Sequence, residues 1–192
     1  NTVDARTRTG YNTDGYGFML MLENAGIKVK GARVLVLGAG GAGRSCIYKL
    51  AQGGAQVFAY ERDTQRLNRV HEELGCFTPL SRVTTQSYDV IFNCTGIGMH
   101  DTVGKTPPDR TEIGESPVGE ELLSGCRAAV DLIYEPVQSE FLRIASSLGK
   151  KTVNGDAMLF YQAYDSDCIY LGRTPSAAEA KEYYIAYQGG KE

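Results

Sequence analysis

Three glycines at one spacing are the first residues of this chain that could do chemistry. In "RVLVLGAGGAGRS", Gly38, Gly40 and Gly43 form G-x-G-x-x-G directly after an apolar run and directly before a helical pattern. That context gives each glycine a task. Gly38 permits a tight turn, Gly40 lets the main chain approach a pyrophosphate, and Gly43 lets helix and strand pack closely. The free N–H groups of the helix N-terminus then face the anion. The same turn can exist with no ligand, so the pattern needs a second feature beside it. Glu61 ends the next apolar run, where a carboxylate takes the ribose hydroxyls in NAD sites. Arg62 could instead hold the 2′-phosphate of NADP, and Asp63 adds another negative charge. Two carboxylates beside a doubly charged phosphate are unfavourable, which tilts this reading to NAD. The structural alternative is that Asp63 caps the following helix and Glu61 is solvated.

A second candidate lies near the start, in "GYNTDGYG". Asp14 precedes the apolar run Phe18 to Leu22, so it reads either as the cap of that helix or as a carboxylate that handles protons. Asn24-Ala25-Gly26 reads as the helix stop.

These residues need a scaffold, and the chain implies one. Val34 to Leu37, "AQVFAYE", "YDVIFNCT" and "RAAVDLIYEP" are continuous apolar runs, the mark of strands buried on both faces. Between and after them lie helical patterns: one with Ile47, Leu50 and Ala51 on one face, closed by Gly53-Gly54, then "TQRLNRVHEELG" with Leu67, Val70 and Leu74 inward, and "SEFLRIASSLG". "KTVN" is short and β-like, and "DAMLFYQAYDSDCIYLG" is helical. Alternation of this kind predicts an α/β fold: a doubly wound, mostly parallel sheet of Rossmann type, with flanking hinge helices. The stretch from His100 to Gly119 holds Pro107, Pro108 and Pro117 without any period and reads as a surface loop beside a ligand.

Bulk properties exclude several classes. The formal net charge is -3 with scattered Lys and Arg, so no nucleic-acid footprint or basic membrane face is expected. No apolar stretch is long enough to span a bilayer. The five cysteines, Cys46, Cys76, Cys94, Cys126 and Cys168, have no metal-ligand spacing, and their odd number argues against a full disulfide framework. With only two histidines, no metal site is expected. The thiols read as small core residues of a cytoplasmic protein. "NTVDARTRTG" is polar and lacks an initiator Met, so the chain reads as a fragment of a longer protein.

"NTDGYG", "GAGGAGR", "NCTGIGM", "DLIYEP" and "NGDAMLFYQA" occur in this order along nearly the whole chain. Together they resemble the shikimate dehydrogenase family, including its quinate/shikimate branch. The resemblance implies a Rossmann-type NAD(P)-binding domain over 1–192, with a linker or hinge segment over about 1–30. It implies a missing N-terminal substrate domain that holds a catalytic lysine and a Ser-x-Ser pair. The activity implied is reversible hydride transfer between 3-dehydroshikimate and shikimate, with this piece alone inactive and a homodimer as a candidate assembly. Quinate/shikimate dehydrogenase, or a non-catalytic dinucleotide sensor, are the alternatives.

By the same resemblance, Asp14 pairs with the lysine at the reacting hydroxyl. Asn1, Tyr134 and Gln162 contact the substrate. Gly38, Ala39, Gly40, Gly41 and Ala42 form the phosphate turn, and Glu61, Arg62, Asp63 and Arg66 form the adenosine-ribose region. Thr95 lines the cofactor cleft, while Leu132, Gly155 and Met158 lie beside the nicotinamide. The common NADP pattern there is Asn-Arg-Thr, and this chain has Glu61-Arg62-Asp63; Gly96 stands where Pro or Ser is commoner.

Overall fold

Val34, Leu35 and Val36 are wholly shielded from solvent, as an apolar run on a strand covered on both faces must be. The structure, a computed structural model, describes residues 1–84, 86–99 and 115–190. Along the chain the elements are β1 (Thr2–Asp4), β2 (Thr9–Tyr11), α1 (Asp14–Asn24), β3 (Arg33–Leu37), α2 (Gly41–Gln52), β4 (Gln56–Tyr60), α3 (Thr64–Leu74), β5 (Thr78–Leu80), β6 (Val90–Asn93), α4 (Glu120–Ser124), β7 (Ala128–Asp131), α5 (Glu140–Ser147), β8 (Lys151–Val153), α6 (Asp156–Leu171) and α7 (Ala177–Gly189). They fall into two compact units, Val29–Gly155, and Asn1–Lys28 together with Asp156–Glu192.

Within Val29–Gly155 the six strands form one parallel sheet in the order β5-β4-β3-β6-β7-β8. The chain winds outward from β3 to one edge, returns to β6, and winds outward to the other. This reversal between β3 and β6 opens a crevice at their carboxyl ends. The register makes four strands end together, because Leu37 lies opposite Tyr60 and Asn93, and Asn93 lies opposite Asp131. The loops after β3, β4, β6 and β7 therefore leave the sheet along one edge.

The expected doubly wound parallel sheet is what the structure has. β3 matches its apolar run, whereas β4, β6 and β7 are shorter than the runs that announced them, because the last residues of those runs leave the sheet. Five elements were not among those expected: α7, and four that lacked a periodic signal. β5 is a three-residue edge strand holding Pro79, a residue an edge tolerates. α4 has only five residues. β1 and β2 form an antiparallel hairpin from the polar opening segment. Of the stretch expected as a surface loop, 100–114 lies outside the described residues.

The segment over about 1–30 was expected as a linker or hinge; Asn1–Lys28 belongs to the same unit as the C-terminal helices. The reason is local. Asp4 holds the hairpin turn by accepting from the Arg6 N–H at 2.9 Å and its guanidinium at 3.1 Å, and Arg6 also donates to the Tyr170 carbonyl at 2.8 Å. That last bond closes an otherwise free carbonyl at the end of α6. Phe18, Met21 and Leu22 of α1 are all at most 1% exposed, and α1 packs along α6. Gly17 sets the separation. A Cβ there would lie 2.6 Å from the Met158 carbonyl oxygen and 2.8 Å from the Gln162 nitrogen, both main-chain atoms that cannot rotate away.

Gly17→Ala should therefore destabilise the chain by roughly 2 kcal/mol through overpacking, a fall of about 4–8 °C in Tm for a domain of this size. Gly96→Ala, where a Cβ meets nothing within 4 Å, should move it little. Thermal melts of the two variants decide; equal melting temperatures would mean that the helices separate at no cost.

Candidate functional site

A cleft of about 530 Å³ opens where the sheet reverses direction, walled by residues that include Gly38, Gly40, Glu61, Arg62, Arg66 and Thr95. That volume suits a small organic ligand. Gly38 leaves β3 with φ +94°, a conformation that favours glycine, and its N–H donates to the Tyr60 carbonyl at 2.8 Å. A Cβ on Gly43 would lie 2.2 Å from the Gly38 oxygen, so α2 starts in main-chain contact with the end of β3.

Gly40 and Gly41 are different. Gly40 has an ordinary φ of -70°, and a Cβ on either residue would meet nothing within 4 Å. Packing makes no demand for glycine there. Gly40 is the N-cap of α2 and offers no side-chain acceptor, so the first N–H groups of α2 have no cap. Together with the helix dipole they make a site for an anion.

Glu61 is 8% exposed and is not solvated. Its carboxylate accepts from the Ala39 N–H at 3.0 Å and the Asp63 N–H at 3.1 Å, with the Arg66 guanidinium 3.6 Å away. Burial pushes this carboxyl up, but the two N–H donors and Arg66 outweigh burial and hold it below the usual range. The glycine loop is thus tied to the end of β4 by a fixed negative charge. Asp63 is the N-cap of α3 and accepts from the Arg66 N–H at 3.0 Å, the capping role weighed from sequence. The cleft wall includes Arg62 and Arg66 but not Asp63. The two acids that argued against a phosphate are therefore both engaged by main-chain N–H groups.

The far wall rests on a buried polar network that sequence reasoning missed. Asn93 and Asp131, at the ends of β6 and β7, are both fully buried. The Asn93 Nδ2 donates to Asp131 at 3.0 Å and to the Ile97 carbonyl at 3.2 Å. The Asn93 Oδ1 accepts from the Thr95 N–H at 3.1 Å and the Thr95 hydroxyl at 2.7 Å. Asp131 also accepts from the Ile133 N–H and the Ser139 hydroxyl. The available signal was a polar residue closing each of two apolar runs. Leu132 and Gly155, both expected beside the nicotinamide, lie together, since a Cβ on Gly155 would lie 2.0 Å from the Leu132 oxygen. They do not line the described cleft, and Tyr134 is 42% exposed.

In the unit formed by Asn1–Lys28 and Asp156–Glu192, Asn1 and Gln162 meet around the Thr13 hydroxyl, and Asn1 also bonds Asp14. The Asn1 amide donates to Asp14 at 2.6 Å and to Thr13 at 3.1 Å, and it accepts from the Thr13 N–H at 2.9 Å. The fully buried Thr13 hydroxyl also lies 3.3 Å from Gln162 and 3.1 Å from Ser166. Asp14 is not the helix cap. Thr13 occupies the N-cap position, and Asn12 accepts from the Gly15 N–H at 3.3 Å. Asp14 falls one residue inside the helix, so its carboxylate adds a favourable charge to the first turn and keeps acceptor capacity. Met158 is buried and its carbonyl faces Gly17.

All five cysteines are free thiols. Among the described residues no cluster of His, Cys, Asp or Glu could hold a metal ion, and no helix is long and apolar enough to cross a membrane.

A family model described as alanine dehydrogenase/PNT, C-terminal domain, matches residues 10–112. The shikimate dehydrogenase (NADP(+)) of Caldicellulosiruptor saccharolyticus is 36% identical over 180 residues, which cover 89% of this chain and 61% of that protein. A chorismate mutase/shikimate 5-dehydrogenase fusion protein from Clostridium acetobutylicum superposes with a TM-score of 0.80 at 30% identity, over 98% of this chain and 66% of that one. Shikimate 5-dehydrogenase from Thermus thermophilus, solved with NADP(H) and shikimate, gives a TM-score of 0.73 at 33% identity, over 90% of this chain and 61% of that one. The chain spans about three fifths of the length of the curated relatives it matches. It belongs to the alanine dehydrogenase/PNT C-terminal domain family and is a homologue of shikimate dehydrogenases.

The Asp131 carboxyl is raised by burial, despite its hydrogen bonds from Ser139, Ile133 and Asn93. Below about pH 3.9, the ordinary Asp value, it is protonated in both folded and unfolded chains. As pH rises, ionisation is easier in the unfolded chain, so stability is lost through the folded-state pKa. Asp131→Asn keeps an oxygen for Asn93 and Ile133 without the charge. Its melting temperature should gain on the parent by a few degrees between acid and neutral pH. Melts at both ends of that range check this, and a difference that shrinks as pH rises contradicts it.

Proposed function

We propose that this homologue of shikimate dehydrogenases carries the dinucleotide-binding part of such an enzyme, with NADP or NAD as hydride carrier and shikimate and 3-dehydroshikimate as the interconverted pair. One observation carries the reading: Gly40 and Gly41 have no packing reason to be glycine, yet they stand at the uncapped N-terminus of α2 beside the cleft. A pyrophosphate fits there, with main-chain N–H groups as its donors and no side chain in its way. The names of the curated relatives and the Thermus thermophilus complex with NADP(H) and shikimate support the same chemistry.

The bound nicotinamide supplies the hydride chemistry; the protein supplies position, charge and proton handling. Glu61 holds Ala39 and presents a fixed charge to the ribose hydroxyls of the adenosine half. Arg62, on the cleft wall, is the cation that answers a 2′-phosphate, helped by Arg66. Thr95 lines the cleft, and the Leu132 main chain with Gly155 lies toward the nicotinamide. In the whole enzyme Asp14 orients the reacting hydroxyl and a lysine that takes its proton. Asn1, bonded directly to Asp14, and Gln162, joined to Asn1 through Thr13, hold further substrate oxygens, and Tyr134 is a further substrate contact.

Gly40→Val tests the cofactor half. Its side chain would stand where the pyrophosphate approaches, so calorimetric titration with NADP and with NAD should show binding lost while Tm stays close to that of the parent. Unchanged affinity for both would mean that the loop holds no phosphate.

Asp14→Asn tests the chemical half. Asparagine can still accept from Asn1, and the N-cap is Thr13, so Tm in the whole enzyme should stay within a few degrees. Proton handling needs the charge, so kcat at saturating cofactor should fall on the order of 10²-fold or more. Near-normal kcat would remove Asp14 from the chemistry.

A further inference from the structure

We propose that Asn93 is a positioning residue that presents the Thr95 hydroxyl to the cleft as a hydrogen-bond acceptor, so that this point of the wall takes a donor group of the dinucleotide, a ribose hydroxyl or the carboxamide N–H, and not a phosphate oxygen. The inference rests on the dinucleotide reading above and adds to it the polarity of one contact.

The orientation of the Asn93 amide is over-determined. One end faces the Ile97 carbonyl and the Asp131 carboxylate, which can only accept, at 3.2 Å and 3.0 Å. That end must be Nδ2. The other end faces the Thr95 N–H at 3.1 Å, which can only donate, so it must be Oδ1. The Thr95 hydroxyl, 2.7 Å from the same Oδ1, then has to give its single hydrogen to Asn93. Its oxygen meanwhile accepts the Ile97 N–H at 3.1 Å. One lone pair of Oγ1 remains, with no hydrogen to offer a ligand. The Thr95 methyl is fixed too, because it packs where a Cβ on Gly38 would lie, 2.9 Å away. Thr95 lines the cleft together with Gly38 and Ile97.

Asp131 anchors the chain of bonds from below. It is fully buried, and its partners Asn93, Ile133 and Ser139 are all donors. A phosphate oxygen set against Thr95 would meet an acceptor with an acceptor. The phosphate charge belongs instead at the α2 N-terminus, where the free groups are donors.

The experiment titrates the chain with NADP and with NAD. Thr95→Ser, which keeps the hydroxyl and both of its bonds, should bind within about threefold of the parent. Thr95→Val, similar in shape without the hydroxyl, should bind about tenfold more weakly, the loss expected when a ligand donor is left without its acceptor. Asn93→Ala frees the Thr95 hydroxyl to rotate and should weaken binding to a similar degree. If Asn93 acts through Thr95, the double variant should bind no more than about threefold below the weaker single variant. A residue that merely supports the fold would give losses that add. Where Asn93→Ala does not fold, Asn93→Ser, which keeps a polar group at this position, replaces it in the cycle; if that too fails, the Thr95 pair decides alone. Parent-like binding by Thr95→Val, or additive losses in the cycle, overturns the proposal. No binding of either dinucleotide by the parent chain would instead overturn the dinucleotide reading itself.

Discussion

The separation between α2 and the end of β3 governs the cleft. A Cβ at Gly43 would sit 2.2 Å from the Gly38 oxygen, closer than any side chain permits, so helix and strand meet main chain to main chain. With the helix seated there, its first N–H groups open onto the crevice made by the reversal of strand order. The loop between them has little freedom left. The Gly38 N–H is bonded to Tyr60 and the Ala39 N–H to Glu61, so both residues at the end of β4 hold the turn that follows β3.

Buried carboxylates stand on both sides of this crevice, and they respond to burial in opposite directions. Glu61 has two main-chain N–H donors and the nearby Arg66, which together overcome the cost of removing its charge from water. Asp131 is buried more completely and has only neutral donors, so desolvation wins and its carboxyl is raised. Each acid organises a loop. Glu61 fixes the glycine turn, and Asp131 fixes Asn93 and through it the segment from Thr95 to Ile97. Most of the cleft wall is irregular chain, and these two side chains supply order there that a sheet or helix would otherwise impose.

In the unit of Asn1–Lys28 and Asp156–Glu192 a hydroxyl plays the corresponding part. Thr13 is fully buried and joins Asn1, Gln162 and Ser166, while Gly17 one turn further on lets α1 and α6 touch through their main chains. Residues far apart in sequence are thereby set around Asp14, whose own carboxylate is only half-buried.

The amino-acid sequence by itself determined the sheet and the glycine loop. Apolar runs such as Val34 to Leu37, and the G-x-G-x-x-G between one of them and a helix, express local periodicity and local conformational preference, which neighbouring residues specify. The short edge strand β5, the hairpin of β1 and β2, and the place of Asn1–Lys28 beside the C-terminal helices were not legible, because their stability comes from partners distant along the chain. The site divides in the same way. Asp63 as a cap was readable, since its partner Arg66 is three residues on. That Glu61 bonds Ala39, that Asn93 bonds Asp131, and that Thr13, not Asp14, begins α1 were decided only by the tertiary structure. A buried polar group takes its donors from whatever the fold brings within about 3 Å, and strand register, not sequence spacing, sets which groups those are.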